Sequence, residues 1–127
     1  MARTLMIIET AYRATLEEQD DPVVWITHAM KGAGADLAVL LRGNAVNYAV
    51  KGQDASGLAF GEKRQTQPPA LAADLAKLVG KGVAVHIVQD DADARGLDRG
   101  ELIEGLTPVP RSDVPKLFGQ FERVWHW

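Results

Sequence analysis

Val83-Ala84-Val85-His86-Ile87-Val88, running straight into Gln89-Asp90-Asp91-Ala92-Asp93-Ala94-Arg95-Gly96, is the stretch on which the fold turns. The apolar run is too short for an ordinary helix and too continuous for a strand with one wet face. It predicts a strand covered on both sides, as in a parallel sheet. The acidic segment after it predicts a short helix closed by Gly96.

Working outward, the same alternation recurs. Upstream, Leu71, Leu75, Leu78 and Val79 carry a helical period over Ala70–Val79, which Gly80-Lys81-Gly82 ends. Further back, Asp36–Leu41 reads as a strand, and Arg42-Gly43-Asn44 turns it into a short helix in which Val46 and Val50 stand one turn apart. Asp20-Asp21-Pro22 offers a capping carboxylate followed by proline at the first helical position. Val23, Ile26, Ala29 and Met30 then share the inward face of that helix, with Trp25 close to it. Thr4–Ile8 is a short buried strand, while Ala11–Gln19 fits a helical turn or a loop equally well. Downstream, Glu101–Glu104 reads as another short helix and Thr107-Pro108-Val109 as a brief strand. Ser112-Asp113 caps a helix to Phe118, and Phe121–Trp127 forms a last strand with an aromatic end. Between Lys51 and Pro69 the rhythm is lost in glycine, proline and polar residues, so a long loop is expected there.

Strands alternating with helices predict a three-layer α/β/α sandwich around a mostly parallel sheet of about five strands. At 127 residues, without repeats or low-complexity tracts, the chain is expected to form a single domain over residues 1–127. Its 46% hydrophobic and 24% charged residues are those of a globular protein. Fourteen basic against 17 acidic residues give a net charge of −3, which is not the footprint of a general nucleic-acid binder. No run reaches the length of a membrane span, and Met1–Glu9 has no secretory pattern, so a cytoplasmic protein is expected. The absence of cysteine removes disulfides, thiolate metal sites and cysteine nucleophiles together.

The order of segments resembles the DsrE/DsrF/DsrH-like sulfur-relay family, which includes the Tus sulfurtransferase subunits. Leu5-Met6-Ile7-Ile8-Glu9 carries the resemblance first, then Leu40-Leu41-Arg42-Gly43-Asn44-Ala45-Val46 through Val50-Lys51-Gly52-Gln53. Val85-His86-Ile87-Val88 through Ala94-Arg95-Gly96-Leu97 follows, with Glu101-Leu102-Ile103-Glu104-Gly105-Leu106 as a fourth piece. The resemblance implies a five-stranded parallel sandwich that assembles into homo-oligomers or mixed hexamers. Active members of that family carry a persulfide on a cysteine that precedes an Arg-Gly pair by three intervening residues. Counting back from Arg95-Gly96 puts Asp91 at that position. A carboxylate cannot form a persulfide, so the activity does not transfer with the fold. Asp90 or Asp91 would instead cap the following helix, worth about 1 kcal/mol.

Other chemistries find little support. There is no G-x-G-x-x-G after the first strand and no G-x-x-x-x-G-K-[ST]. His28, His86 and His126 match no metal-ligand spacing, and Asp90, Asp91 and Asp93 lack the rest of a calcium loop. Ser56 and Ser112 lie in no nucleophile elbow. No metal and no cofactor is therefore implied. Ligands of open α/β sheets bind beyond the carboxyl ends of the strands, which makes Glu9, Thr10, Arg42, Asn44, Asp90, Asp91 and Arg95 the candidate pocket. There, Arg42 or Arg95 would meet an acidic ligand group, and Glu9 or Asp91 would serve as a base. Trp125 and Trp127 are the candidate interface, since indoles either pack on their own sheet or anchor a partner. The leading expectation is a non-catalytic, oligomerising subunit paired with DsrE/F-like or sulfur-carrier proteins. The alternative is a small-molecule binder or enzyme using the strand-end pocket.

Overall fold

The computed structural model describes residues 2–13 and 21–127. In chain order they form β1 (Thr4–Ile8), α1 (Pro22–Gly32) and β2 (Leu37–Leu41), then a 3-10 helix (Gly43–Ala49). Next come β3 (Ala59–Phe60), β4 (Lys63–Arg64), α2 (Leu71–Gly80), β5 (Ala84–Val88) and α3 (Gln89–Ala94). A 3-10 turn (Arg99–Glu101), β6 (Leu106–Val109), a second 3-10 turn (Arg111–Asp113), α4 (Val114–Phe118) and β7 (Arg123–His126) complete the chain. Five strands make one sheet in the order β6-β5-β2-β1-β7, and every pairing in it is parallel. The expected α/β/α architecture is the one observed. Within Ala11–Gln19, residues 11–13 form no regular element and the remainder lies outside the described residues.

The central strands of a covered parallel sheet expose no face to water, and all five residues of β1 and all five of β2 are buried. Because successive side chains alternate, Met6, Ile8, Val39, Leu41, Val85 and Ile87 face one layer, formed by α1, α2 and the 3-10 helix. Leu5, Ile7, Ala38, Leu40 and Val88 face the other, where Val114 and Leu117 of the short α4 cover them. Cover on this second side is thinner, so Ala84 is exposed and His86 half-buried. Continuous apolar sequence in β5 thus overstated how evenly its two faces are covered.

α1 starts where Asp21-Pro22 predicts. The fully buried Asp21 Oδ1 accepts from the N–H groups of Val23 (2.7 Å) and Val24 (3.3 Å), while Oδ2 accepts from Tyr48 Oη at 2.7 Å. Tyr48 Oη in turn accepts from the N–H of Arg13 at 2.9 Å, so a buried polar chain joins three segments with its donors and acceptors matched. Val23 faces inward as expected, and Ile26 and Met30 pack half-buried against the core, but the inward face is wider than expected and omits Ala29. Val23, Val24 and Thr27 are buried, Ala29 is exposed and Trp25 is 57% exposed. Thr27 can lie inward because its hydroxyl donates to the Val23 carbonyl at 2.7 Å.

Three further expectations are corrected. Glu101–Glu104 is not a helix. One 3-10 turn ends at Glu101 because Leu102 turns extended to bridge Val50, with Lys51 N–H donating to Glu101 O (2.8 Å) and Ile103 N–H to Ala49 O (2.9 Å). The stretch from Lys51 to Pro69 contains an exposed antiparallel hairpin, β3-β4, whose side chains cover no core and so leave no apolar rhythm. Asp113 precedes α4 in helical conformation and makes no side-chain cap, since the 3-10 turn runs directly into the helix. Among the described residues no helix is long and apolar enough to cross a membrane. Both sheet edges are short; β6 contains Pro108, and β7 carries the aromatic end.

Candidate functional site

In a parallel sheet all strand ends meet at one rim. Register places Ile8 beside Leu41, Leu41 beside Ile87, and Val88 beside Val109, so Glu9, Arg42 and the start of α3 converge. Here a cleft of about 420 Å³ opens, lined by Glu9, Arg42, Gly43, Asp91, Arg111 and Val114 among others. Gly43 has φ +56°, and a Cβ there would sit 3.2 Å from Glu9 Cγ. Glycine therefore lets the chain turn closely beneath Glu9 and present its N–H to the cleft.

That N–H is taken. Asp91 Oδ2 accepts it at 2.7 Å, and Asp91 Oδ1 pairs with Arg111 Nη2. Burial pushes the Asp91 carboxyl up, but the Gly43 N–H and the Arg111 guanidinium outweigh it, with Arg95 adding to their effect; the group is held below its ordinary value. Beside it, Glu9 Oε1 accepts from Arg42 Nε at 3.2 Å, and Glu9 Oε2 lies 2.7 Å from His126 Nε2. The Arg42 bond lowers the Glu9 pKa, burial opposes it in part, and His126 reinforces the lowering. Carboxylates so stabilised as anions are poor proton acceptors at neutral pH, which weakens the expected base role of either one.

The expected cap on α3 is absent. Val88 occupies the capping position and no side chain bonds the first turn. Asp91 is instead engaged by Gly43 and Arg111, and Asp90 Oδ1 accepts from Arg111 N at 2.7 Å. Both carboxylates thus tie α3 to neighbouring loops. Arg95 clamps Asn44 Oδ1 through Nη2 (2.7 Å) and Nε (3.2 Å), and its Nη1 donates to the Asp91 carbonyl at 3.1 Å. Asn44 and Arg95 therefore brace the cleft from beside it, bound to one another. Thr10 is an exposed bend residue. Of the sequence candidates, Glu9, Arg42 and Asp91 line the cleft together.

Two rim residues were missed in the sequence, Arg111 and His126. Each lies at the C-terminal end of a strand, β6 and β7, and so satisfies the topological criterion that singled out Glu9 and Arg42. At the tail, Trp125 packs half-buried against the larger core cluster, and its ring meets that of Trp127 edge-on at 6.2 Å. Trp127 remains 43% exposed and the adjoining Val124 38%.

With this geometry in hand, two solved structures can be compared. The ychN protein from E. coli superposes with a TM-score of 0.77 at 18% identity, over 100% of both chains. The chain is ychN-like in fold. A protein of unknown function, MTH1491 from Methanobacterium thermoautotrophicum, matches with a TM-score of 0.62 at 12% identity, again over 100% of both chains. No family model and no curated protein matches the sequence. Both likenesses are likenesses of fold.

Proposed function

We propose that this chain is a non-catalytic, DsrE/F-like binding subunit of the cytoplasm, serving sulfur trafficking through its partners and carrying no sulfur itself. One observation supports the reading above all others. Asp91, three intervening residues before Arg95-Gly96, projects into the rim cleft at the position the resemblance assigns to a sulfur-bearing cysteine. Its carboxylate saturates the Gly43 N–H and pairs with Arg111, the groups that would otherwise greet an incoming anion. The site is filled from within. The ychN-like fold favours the same reading, and exposed Val124 of edge strand β7 and Trp127 just beyond it offer an apolar, aromatic contact for an assembly.

Isolation of the protein from its native cell, with light scattering and identification of co-purifying chains, tests this. An oligomer containing a cysteine-bearing homologue or a sulfur carrier supports it; a solitary monomer at every concentration overturns it. Asp91→Cys is expected to leave sulfur transfer unrestored, since Arg111 and Gly43 are arranged around a carboxylate.

The cleft itself favours a second reading, in which a small acidic ligand binds at the rim against Arg42 and Arg111. A metabolite screen by thermal shift separates the two. Stabilisation weakened by Arg42→Ala and strengthened by Asp91→Ala, which frees Arg111 and the Gly43 N–H, supports a rim ligand, and stabilisation unchanged by both removes it.

A further inference from the structure

A second cleft flanks the end of β5 and owes nothing to the rim. Side chains alternate along a strand, so while Val88 enters the rim cleft, Ile87 and Gln89 enter a hollow of about 270 Å³ beside the 99–108 segment. Ile87, Leu102, Ile103, Leu106 and Pro108 give it apolar walls.

Those walls are fixed on three sides. Lys51 N–H bonds Glu101 O, Ile103 N–H bonds Ala49 O, and Gly105 lies so close to α2 that a Cβ would come 2.6 Å from Val79 Cγ1. Gly105 also has φ +86°, which makes glycine the fitting residue there. The cleft is therefore built by tertiary ties and does not depend on ligand to hold its shape.

Lys51 and Arg99 stand in its lining, both exposed, and neither side chain has an acceptor among the described residues. Glu104 is the one acid there and is likewise unpaired, so two cations against one anion leave an excess of a single positive charge. The lining is mixed, with apolar side chains on one part of the wall and unmatched polar groups, which set a ligand's orientation, on the rest.

We propose that this cleft binds a small apolar monocarboxylate, its hydrocarbon against Leu102, Leu106 and Pro108 and its carboxylate toward Lys51 and Arg99. Charge favours one negative group: a monoanion neutralises the excess, whereas a phosphate dianion would overshoot it beside Glu104. Apolar walls favour a ligand with a hydrocarbon body over a bare inorganic ion.

Titration of the full-length, isotopically labelled protein with hexanoate, followed by amide NMR, tests the proposal. Hexanoate is expected to shift Lys51 and residues 99–106 saturably. The double variant Lys51→Gln/Arg99→Gln, which changes two exposed side chains, is expected to weaken binding about ten-fold. 1-Hexanol and hexylamine should each bind far more weakly than hexanoate, and Ile103→Thr should weaken hexanoate without unfolding the domain. The proposal is overturned if hexanoate shifts other regions alone, if the double variant binds as well as the parent, if hexylamine binds equally, or if sulfate competes at equal concentration and so reveals a site that reads charge alone. All of these outcomes are independent of whether the chain assembles with sulfur-relay partners.

Discussion

The two clefts on either side of β5 make opposite use of similar residues. At the rim the charges lining the cleft are answered from within: Asp91 pairs with Arg111 and Glu9 with Arg42, and His126 Nε2 also bonds Glu9. Across the strand, Lys51, Arg99 and Glu104 have no partner among the described residues and stand beside Ile87, Leu102 and Leu106. Charge at a strand end is therefore an incomplete guide to binding. What matters is whether the protein has already answered that charge, because a satisfied ion pair must be broken before a ligand gains from it.

The comparison breaks most visibly at Gly105. Gly105→Ala combines an unfavourable positive φ with a clash against the stiff, β-branched Val79, and is expected to destabilise the protein by about 3 kcal/mol. Chemical denaturation should show the loss, and hexanoate binding should fall with it. An unchanged midpoint would mean that the 99–108 wall is loose.

Asp91→Ala comes next. Removing a carboxylate 15% exposed strands the Gly43 N–H and one face of Arg111, at an expected cost of about 2 kcal/mol. Thermal melting should fall by about 6–8 °C, and millimolar acetate or sulfate should recover part of it in the variant alone. Recovery in neither protein would show that the rim is not an anion receptor filled from within.

pH sharpens the same contrast. Asp91 binds its proton less readily folded than unfolded, so its contribution to stability is complete above the ordinary carboxylate value of 3.8 and fades as pH falls through the lower folded value. The advantage of the parent over Asp91→Asn should therefore be flat from neutrality to about pH 5 and shrink below about pH 4. A constant difference down to pH 3 would contradict the assigned pairing. The smallest effect is expected at Glu9→Gln. Glu9 and Arg42 are 41% and 35% exposed, so solvent screens their pair, and the change should stay below about 1 kcal/mol and diminish with salt.

Much of the fold was legible because burial leaves periodic traces. β1, β2 and β5 are short apolar runs, and Asp21-Pro22 announces α1 through purely local chemistry. Glu9 and Arg42 were legible as site residues because they directly follow those strands. Elsewhere the deciding partner lies far along the chain. Leu102 leaves a helical pattern to bridge Val50, and Asp91 forgoes the local cap for Gly43 and Arg111, 48 and 20 residues away. Arg111 and His126 escaped notice since β6 and β7 are half-polar edge strands without a strong apolar signature. The β3-β4 hairpin buries nothing, so its sequence had no reason to alternate.

The proline in β6 bears on how such a sheet could grow sideways. Each border of an open sheet is a template for another chain's backbone, and nature commonly blunts that hazard with proline. Pro108 leaves β6 one amide donor short, while β7 contains no proline. Lateral extension by a foreign strand is thus directed to the side bearing Arg123, Val124, Trp125 and His126, and discouraged at the other.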